Sequence, residues 1–175
     1  MYLTVMRHAK SDWNSPSGDD LSRSLNARGI EDARRMGEWM SDSQTLPELI
    51  LCSPATRVRE TIHYLALGAG LNLSQRTRWL DSLYLSSLGN LLDVVRQNAD
   101  ATELMLVGHN PGLEELLEML LPGGFVDSQF AKPMPTCAYY RIRLASEAGG
   151  KVILSAGSAT LIRHQRPKAL REKGS

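Results

Sequence analysis

Little in this chain of 175 residues is present in excess, and each shortage removes a class of function. A formal net charge of +1 leaves no broad field of one sign, which argues against a polybasic nucleic-acid or membrane-surface binder and confines strong electrostatics to local patches. Only two cysteines occur, Cys52 and Cys137, both among apolar or small residues, so reduced buried thiols are expected rather than a disulfide framework. The amino terminus lacks a charged segment followed by a long apolar run, and no apolar stretch reaches bilayer length. A cytoplasmic location without membrane contact is therefore expected. Repeats and low-complexity blocks are also missing, and this length with 42% hydrophobic and 22% charged residues fits one globular domain over residues 1–175.

What is present is an alternation of short apolar runs with helical patterns, the mark of an α/β sheet with crossover helices. Tyr2 to Met6, "ELILCS" and "ELMLVG" read as buried strands. Ile30, Ala33, Met36, Gly37 and Met40 recur at helical spacing behind Asn26, a candidate cap. A second helix is expected from Pro54, with Val58, Ile62 and Leu65 on one face. Trp79 and Leu80 mark a short extended piece before a helix from about Ser87 to Val95, and "LEELLEMLL" forms a further helix ended by Pro122 and Gly123. "AYYRIRL" and "KVILSA", separated by "ASEAGG", read as an antiparallel edge pair, and residues from about 163 to 175 as a basic surface tail. The expected fold class is a three-layer α/β/α sandwich with a mostly parallel sheet and an antiparallel edge.

The three most apolar strands run into "RHAK", "SPATR" and "GHNPG", each leading toward a helix. In parallel α/β sheets the carboxyl ends of strands line one crevice, so Arg7, His8, Ser53, Arg57 and His109 can converge. Two arginines, two imidazoles and helix N-termini without a matching cluster of acids describe a pocket for a tetrahedral dianion such as phosphate. Each residue also has a plain structural use: a hydrogen-bonded histidine, an Arg57–Glu60 pair, Ser53 as a helix cap. Three equivalent strand ends loaded with such groups favour a site.

"VMRHAKSDW", "LNARG", "LILCSPATRVRETI" and "LMLVGHNPGLEEL" together resemble the histidine phosphatase superfamily, which contains the phosphoglycerate mutases, and in particular its small SixA-type phosphohistidine phosphatase branch. The resemblance runs from residue 1 to about 120, with "RPKAL" similar in style. It implies a phosphoglycerate mutase-like fold, His8 as the nucleophile that accepts a phosphoryl group, and Arg7, Arg57 and His109 as the residues that hold its oxygens. An imidazole is a usable nucleophile near neutral pH if one nitrogen is unprotonated, so the other is expected to donate to a backbone carbonyl. His109, if protonated, would add a further cation.

Many superfamily members that cleave esters carry an acid to protonate the leaving oxygen, and in this sequence "RWLDSLYLSSLGN" offers only Asp81. Without a clear acid, the labile P–N bond of phosphohistidine is the favoured target, because its imidazole leaves more readily than an alkoxide. The expected activity is therefore hydrolysis of phosphohistidine in a partner protein through a phosphoenzyme at His8. The alternatives are a phosphatase of small phosphate esters and a non-catalytic module that binds phosphorylated partners. Lys10 and Ser11 are candidate substrate contacts, Trp13 a plug or substrate-facing surface, and "NSPSGDDLSRS" a candidate mobile rim. His63 and His164 are assigned packing or solvated roles, Thr61 a bond to backbone, and Asn110 a cap or loop contact. No metal, cofactor or nucleic acid is called for, since the four histidines show no ligand spacing, and a monomer is expected.

Overall fold

A computed structural model describes residues 1–13, 19–123 and 134–172. In chain order the elements are β1 (Tyr2–Arg7), α1 (Ala27–Asp42), β2 (Leu49–Cys52), α2 (Thr56–Ala69), β3 (Thr77–Trp79), α3 (Leu88–Gln97), β4 (Glu103–Gly108), α4 (Gly112–Leu120), β5 (Tyr139–Leu144), β6 (Ala159–Gln165) and α5 (Pro167–Arg171). The strands form one sheet in the order β3-β2-β4-β1-β5-β6. β3, β2, β4 and β1 run parallel, β5 runs antiparallel to β1 and β6 antiparallel to β5, giving the expected mixed sheet.

β1, β2 and β4 read as continuous apolar runs because both faces are covered. Within those runs the side chains still alternate. Leu3, Val5, Leu51, Leu104 and Leu106 join α3 and α4 in one core, whereas Met6, Ile50, Cys52, Met105 and Val107 join α1 and α2 in the other. α1 begins where expected, with the Asn26 side chain accepting from Gly29 N at 2.9 Å, and buries Ala33, Met36, Gly37 and Met40. A Cβ at Gly37 would lie 2.1 Å from Leu65 O, so the close approach of α1 to α2 requires glycine there. Cys52 and Cys137 are free and buried. No helix among the described residues is long and apolar enough to cross a membrane.

Two sequence-based expectations fail at the carboxyl-terminal edge. "KVILSA" supplies no strand; Val152 makes only an isolated bridge with Ser146, and the partner of β5 is β6. The supposed tail is accordingly part of the fold. β6 extends to Gln165, Arg166 and Pro167 are buried, and α5 packs on α1 with Arg171 3.1 Å from the buried Asp32 carboxylate. β6 escapes recognition because it is an edge strand whose Thr160 to His164 are all exposed, so no apolar alternation marks it.

Candidate active site

Strand register builds the site. Arg7 pairs with Gly108, and Cys52 with Val107, so β1, β2 and β4 end at nearly one level. The next residues, His8, Ser53 and His109, emerge side by side in the order Ser53, His109, His8. Backbone bonds hold them there: His8 N donates to Gly108 O at 3.1 Å and Ser53 N to Val107 O at 3.1 Å. The "RHAK" loop is pinned from two further directions. Ala9 N donates to Thr61 Oγ1 at 3.0 Å, and that hydroxyl donates to Arg57 O at 2.6 Å. Gly29 touches the other side, where a Cβ would sit 2.1 Å from Lys10 O.

His8, Arg7, Arg57 and His109 line a cavity of about 470 Å³ together with Lys10, Ser11, Trp13, Asp20, Arg23 and Asn110. His8 Nδ1 lies 2.7 Å from Ala9 O. Because a carbonyl only accepts, Nδ1 carries the proton and Nε2 keeps its lone pair. Burial pushes the His8 pKa down to about 3, against the raising effect of the Ala9 bond and with the cationic surroundings adding to the fall. The imidazole is neutral at physiological pH.

His109 is also neutral, not the cation considered from sequence. Arg57 Nη2 stands 3.2 Å from His109 Nδ1, and Nε2 stands 2.7 Å from Ser53 Oγ. A guanidinium only donates, so Nδ1 accepts and Nε2–H donates to the serine. Burial first and Arg57 second push the His109 pKa down to about 4. The two imidazoles face each other with centroids 5.2 Å apart. Ser53 thus orients His109 and is not the cap of α2, which starts later, behind Ala55 and without a side-chain cap.

The Arg57 side chain is 2% exposed, and a charge so buried needs partners. Glu60 is not one of them, since its carboxylate accepts from Leu25 N at 2.6 Å. The partner is Asp20, whose Oδ2 lies 2.8 Å from Arg57 Nη2 and 2.7 Å from Tyr84 Oη. These bonds hold the Asp20 pKa down to about 2, with the Tyr84 hydroxyl the largest cause. Arg7 donates to Met134 O at 3.0 Å, and burial lowers its pKa.

Asp81 is displaced from the role considered for it. It is exposed at the start of a short 3-10 turn, away from the cavity lining, and the carboxylate that lines the cavity among the described residues is Asp20. Lys10 and Ser11 do line it, Lys10 exposed and Ser11 buried; Trp13 stands 81% exposed at its mouth. Asn110 caps nothing and donates to Met134 O at 3.1 Å. Residues 14–18 of the candidate rim lie outside the described residues. Among those described, no group of three or more His, Cys, Asp or Glu side chains is arranged to hold a metal.

A mostly parallel sheet whose strand ends present arginines and neutral imidazoles to one cavity is an arrangement suited to a phosphoryl-handling α/β protein. Residues 3–85 match the description of the histidine phosphatase superfamily (branch 1). An uncharacterized protein of Mycobacterium tuberculosis is 30% identical over 93% of this chain and 100% of its own length. An uncharacterized chloroplastic protein of Arabidopsis thaliana is 31% identical over 67% of the chain, which spans 58% of that relative's length. The chain belongs to the histidine phosphatase superfamily. Among solved structures, a candidate phosphohistidine phosphatase SixA from Agrobacterium tumefaciens aligns with TM-score 0.78 and 25% identity, covering 95% of this chain and 97% of that one. The protein histidine phosphatase SixA complexed with tungstate aligns with TM-score 0.77 and 22% identity over 97% and 99% of the two chains, a likeness of fold.

Proposed function

We propose that this phosphatase hydrolyses the P–N bond of phosphohistidine in a partner protein, without a metal, through a phosphoenzyme at His8. The observation that carries the reading is the state of His8: neutral, tautomer fixed by the Ala9 carbonyl, and set beside Arg7 and Arg57 in one cavity. The His8 Nε2 lone pair attacks phosphorus, and the bond to the substrate imidazole breaks with its electron pair leaving on that nitrogen. Arg7 and Arg57 hold the oxygens while charge redistributes. Water then attacks the phosphorylated His8, phosphate departs with the water oxygen, and Nε2 recovers its lone pair. A bound dianion reverses the bias on His109, because opposite charge favours the imidazolium.

Asp20 supports phosphohistidine over esters. Held by Tyr84 and Arg57 or released to the ordinary carboxylate value of about 3.9, it is ionised at neutral pH and has no proton to give an alkoxide, whereas an imidazole leaving group needs less help. The cavity mouth, bordered by exposed Trp13 and Leu85, supports entry of a side chain carried by a protein. The test is a comparison of turnover on a phosphohistidine protein and a panel of phosphate esters. Faster release from phosphohistidine is expected; faster release from esters would defeat the substrate assignment.

A further inference from the structure

We propose that the Asp20 carboxylate is an internal stand-in for the substrate: it occupies a seat that a phosphoryl oxygen takes on binding, and Arg23 is among the residues that receive that group. The proposal rests on the reading of the cavity as a phosphoryl site.

The seat is made by groups from separate parts of the chain. Asp20 Oδ2 contacts Arg57 Nη2 at 2.8 Å and Tyr84 Oη at 2.7 Å, and Oδ1 contacts Arg23 Nη2 at 2.7 Å. Arg57 is fixed, entering from the first turn of α2 with its side chain 2% exposed. The Asp20 backbone is held, its carbonyl accepting from Arg57 Nη1 at 2.5 Å, but its side chain lies outside regular structure, is 44% exposed and can rotate away from the guanidinium. When two anions compete for Arg57, the aspartate is the one able to move.

The arginines that line the cavity also carry donors that the carboxylate does not satisfy. Arg57 Nε, Arg7 Nε, and both Nε and Nη1 of Arg23 are buried with no hydrogen-bond partner among the described residues. Arg23 lines the cavity with its side chain 11% exposed, and its guanidinium lies 3.8 Å over the exposed Trp13 ring. Buried donors without acceptors are costly, and a tetrahedral dianion brings more acceptor oxygens than a carboxylate. Exchange of Asp20 for a phosphoryl group therefore leaves fewer arginine donors unpaired. The price is that every binding event must first displace Asp20, so the wild-type site binds anions more weakly than its arginines alone would allow.

The sign of one substitution separates this role from its rival, in which Asp20 permanently orients Arg57. Binding of inorganic phosphate to the full chain is measured by calorimetry at about 0.15 M salt, where exposed charges are screened beyond about 8 Å. Asp20→Asn and Asp20→Ser are each expected to bind phosphate about fivefold tighter than wild type. Asp19→Asn, which makes the same change in net charge at an exposed neighbour, stays within about twofold, and Arg23→Gln binds more weakly. Unchanged or weaker binding by both Asp20 variants overturns the proposal, as does equal tightening by Asp19→Asn. A wild-type chain that binds no phosphate, with variants that bind none, removes the phosphoryl reading itself.

Discussion

Acidification is where the buried imidazoles should reveal themselves. In an unfolded chain both histidines titrate near their ordinary value of about 6.5, while in the fold His8 is pushed down to about 3 and His109 to about 4. Below pH of about 6.5 the unfolded state therefore binds more protons than the folded state, and stability falls as pH drops until the folded values are reached. With about 1.4 kcal/mol per pKa unit, moving from about pH 7 to about pH 4.5 costs about 2 kcal/mol for each histidine. The Asp20 carboxylate adds little in this window, because its own loss begins only below its ordinary value of about 3.9. The assay is urea unfolding followed by tryptophan fluorescence across that range. Asparagine does not titrate, so His8→Asn and His109→Asn should each lose about 2 kcal/mol less on acidification than wild type. Variants whose stability falls as steeply as wild type would refute the assignment of neutral, buried imidazoles, and with it the argument for a ready nucleophile.

Three other outcomes follow from the geometry. Gly29→Ala places a methyl 2.1 Å from the Lys10 carbonyl, and the thermal midpoint should fall by the equivalent of about 1–3 kcal/mol. Arg57→Met removes the cation that faces both His109 and the incoming oxygens, and phosphate release should drop by about a hundredfold or more with the chain still folded by circular dichroism. Treatment with a chelator should leave turnover unchanged, and activity lost on chelation but restored by added divalent metal would contradict a mechanism based on arginines.

The parts of the fold visible in sequence were those whose burial leaves a mark. β1, β2 and β4 are covered on both faces and read as apolar runs; α1 carries its own cap in Asn26 and a clear apolar face. Their loops pointed to Arg7, His8, Arg57 and His109 because polar side chains stand out directly after such strands. The site residues that were missed leave no such mark. Asp20 lies in a polar, turn-rich stretch where one acid looks like another, and only the path of residues 19–25 across the start of α2, with Thr56 N donating to Leu21 O at 2.9 Å, brings it to Arg57. Tyr84 follows a short 3-10 turn that has no periodic signature. Asp81 is the one acid in the stretch "RWLDSLYLSSLGN", yet local turn geometry leaves it exposed. Ser53 is placed at the strand ends by its sequence position, as expected; its plain alternative, a helix cap, gives way because the register of β2 and β4 brings its hydroxyl to His109.

The central claim, a phosphoryl group carried by His8, is tested most directly by brief incubation with labelled phosphohistidine peptide followed by a rapid quench. The account predicts a label on the protein that is labile in acid, stable in base and absent from His8→Ala. Phosphate release without any such label, or a label that persists in His8→Ala, would contradict it.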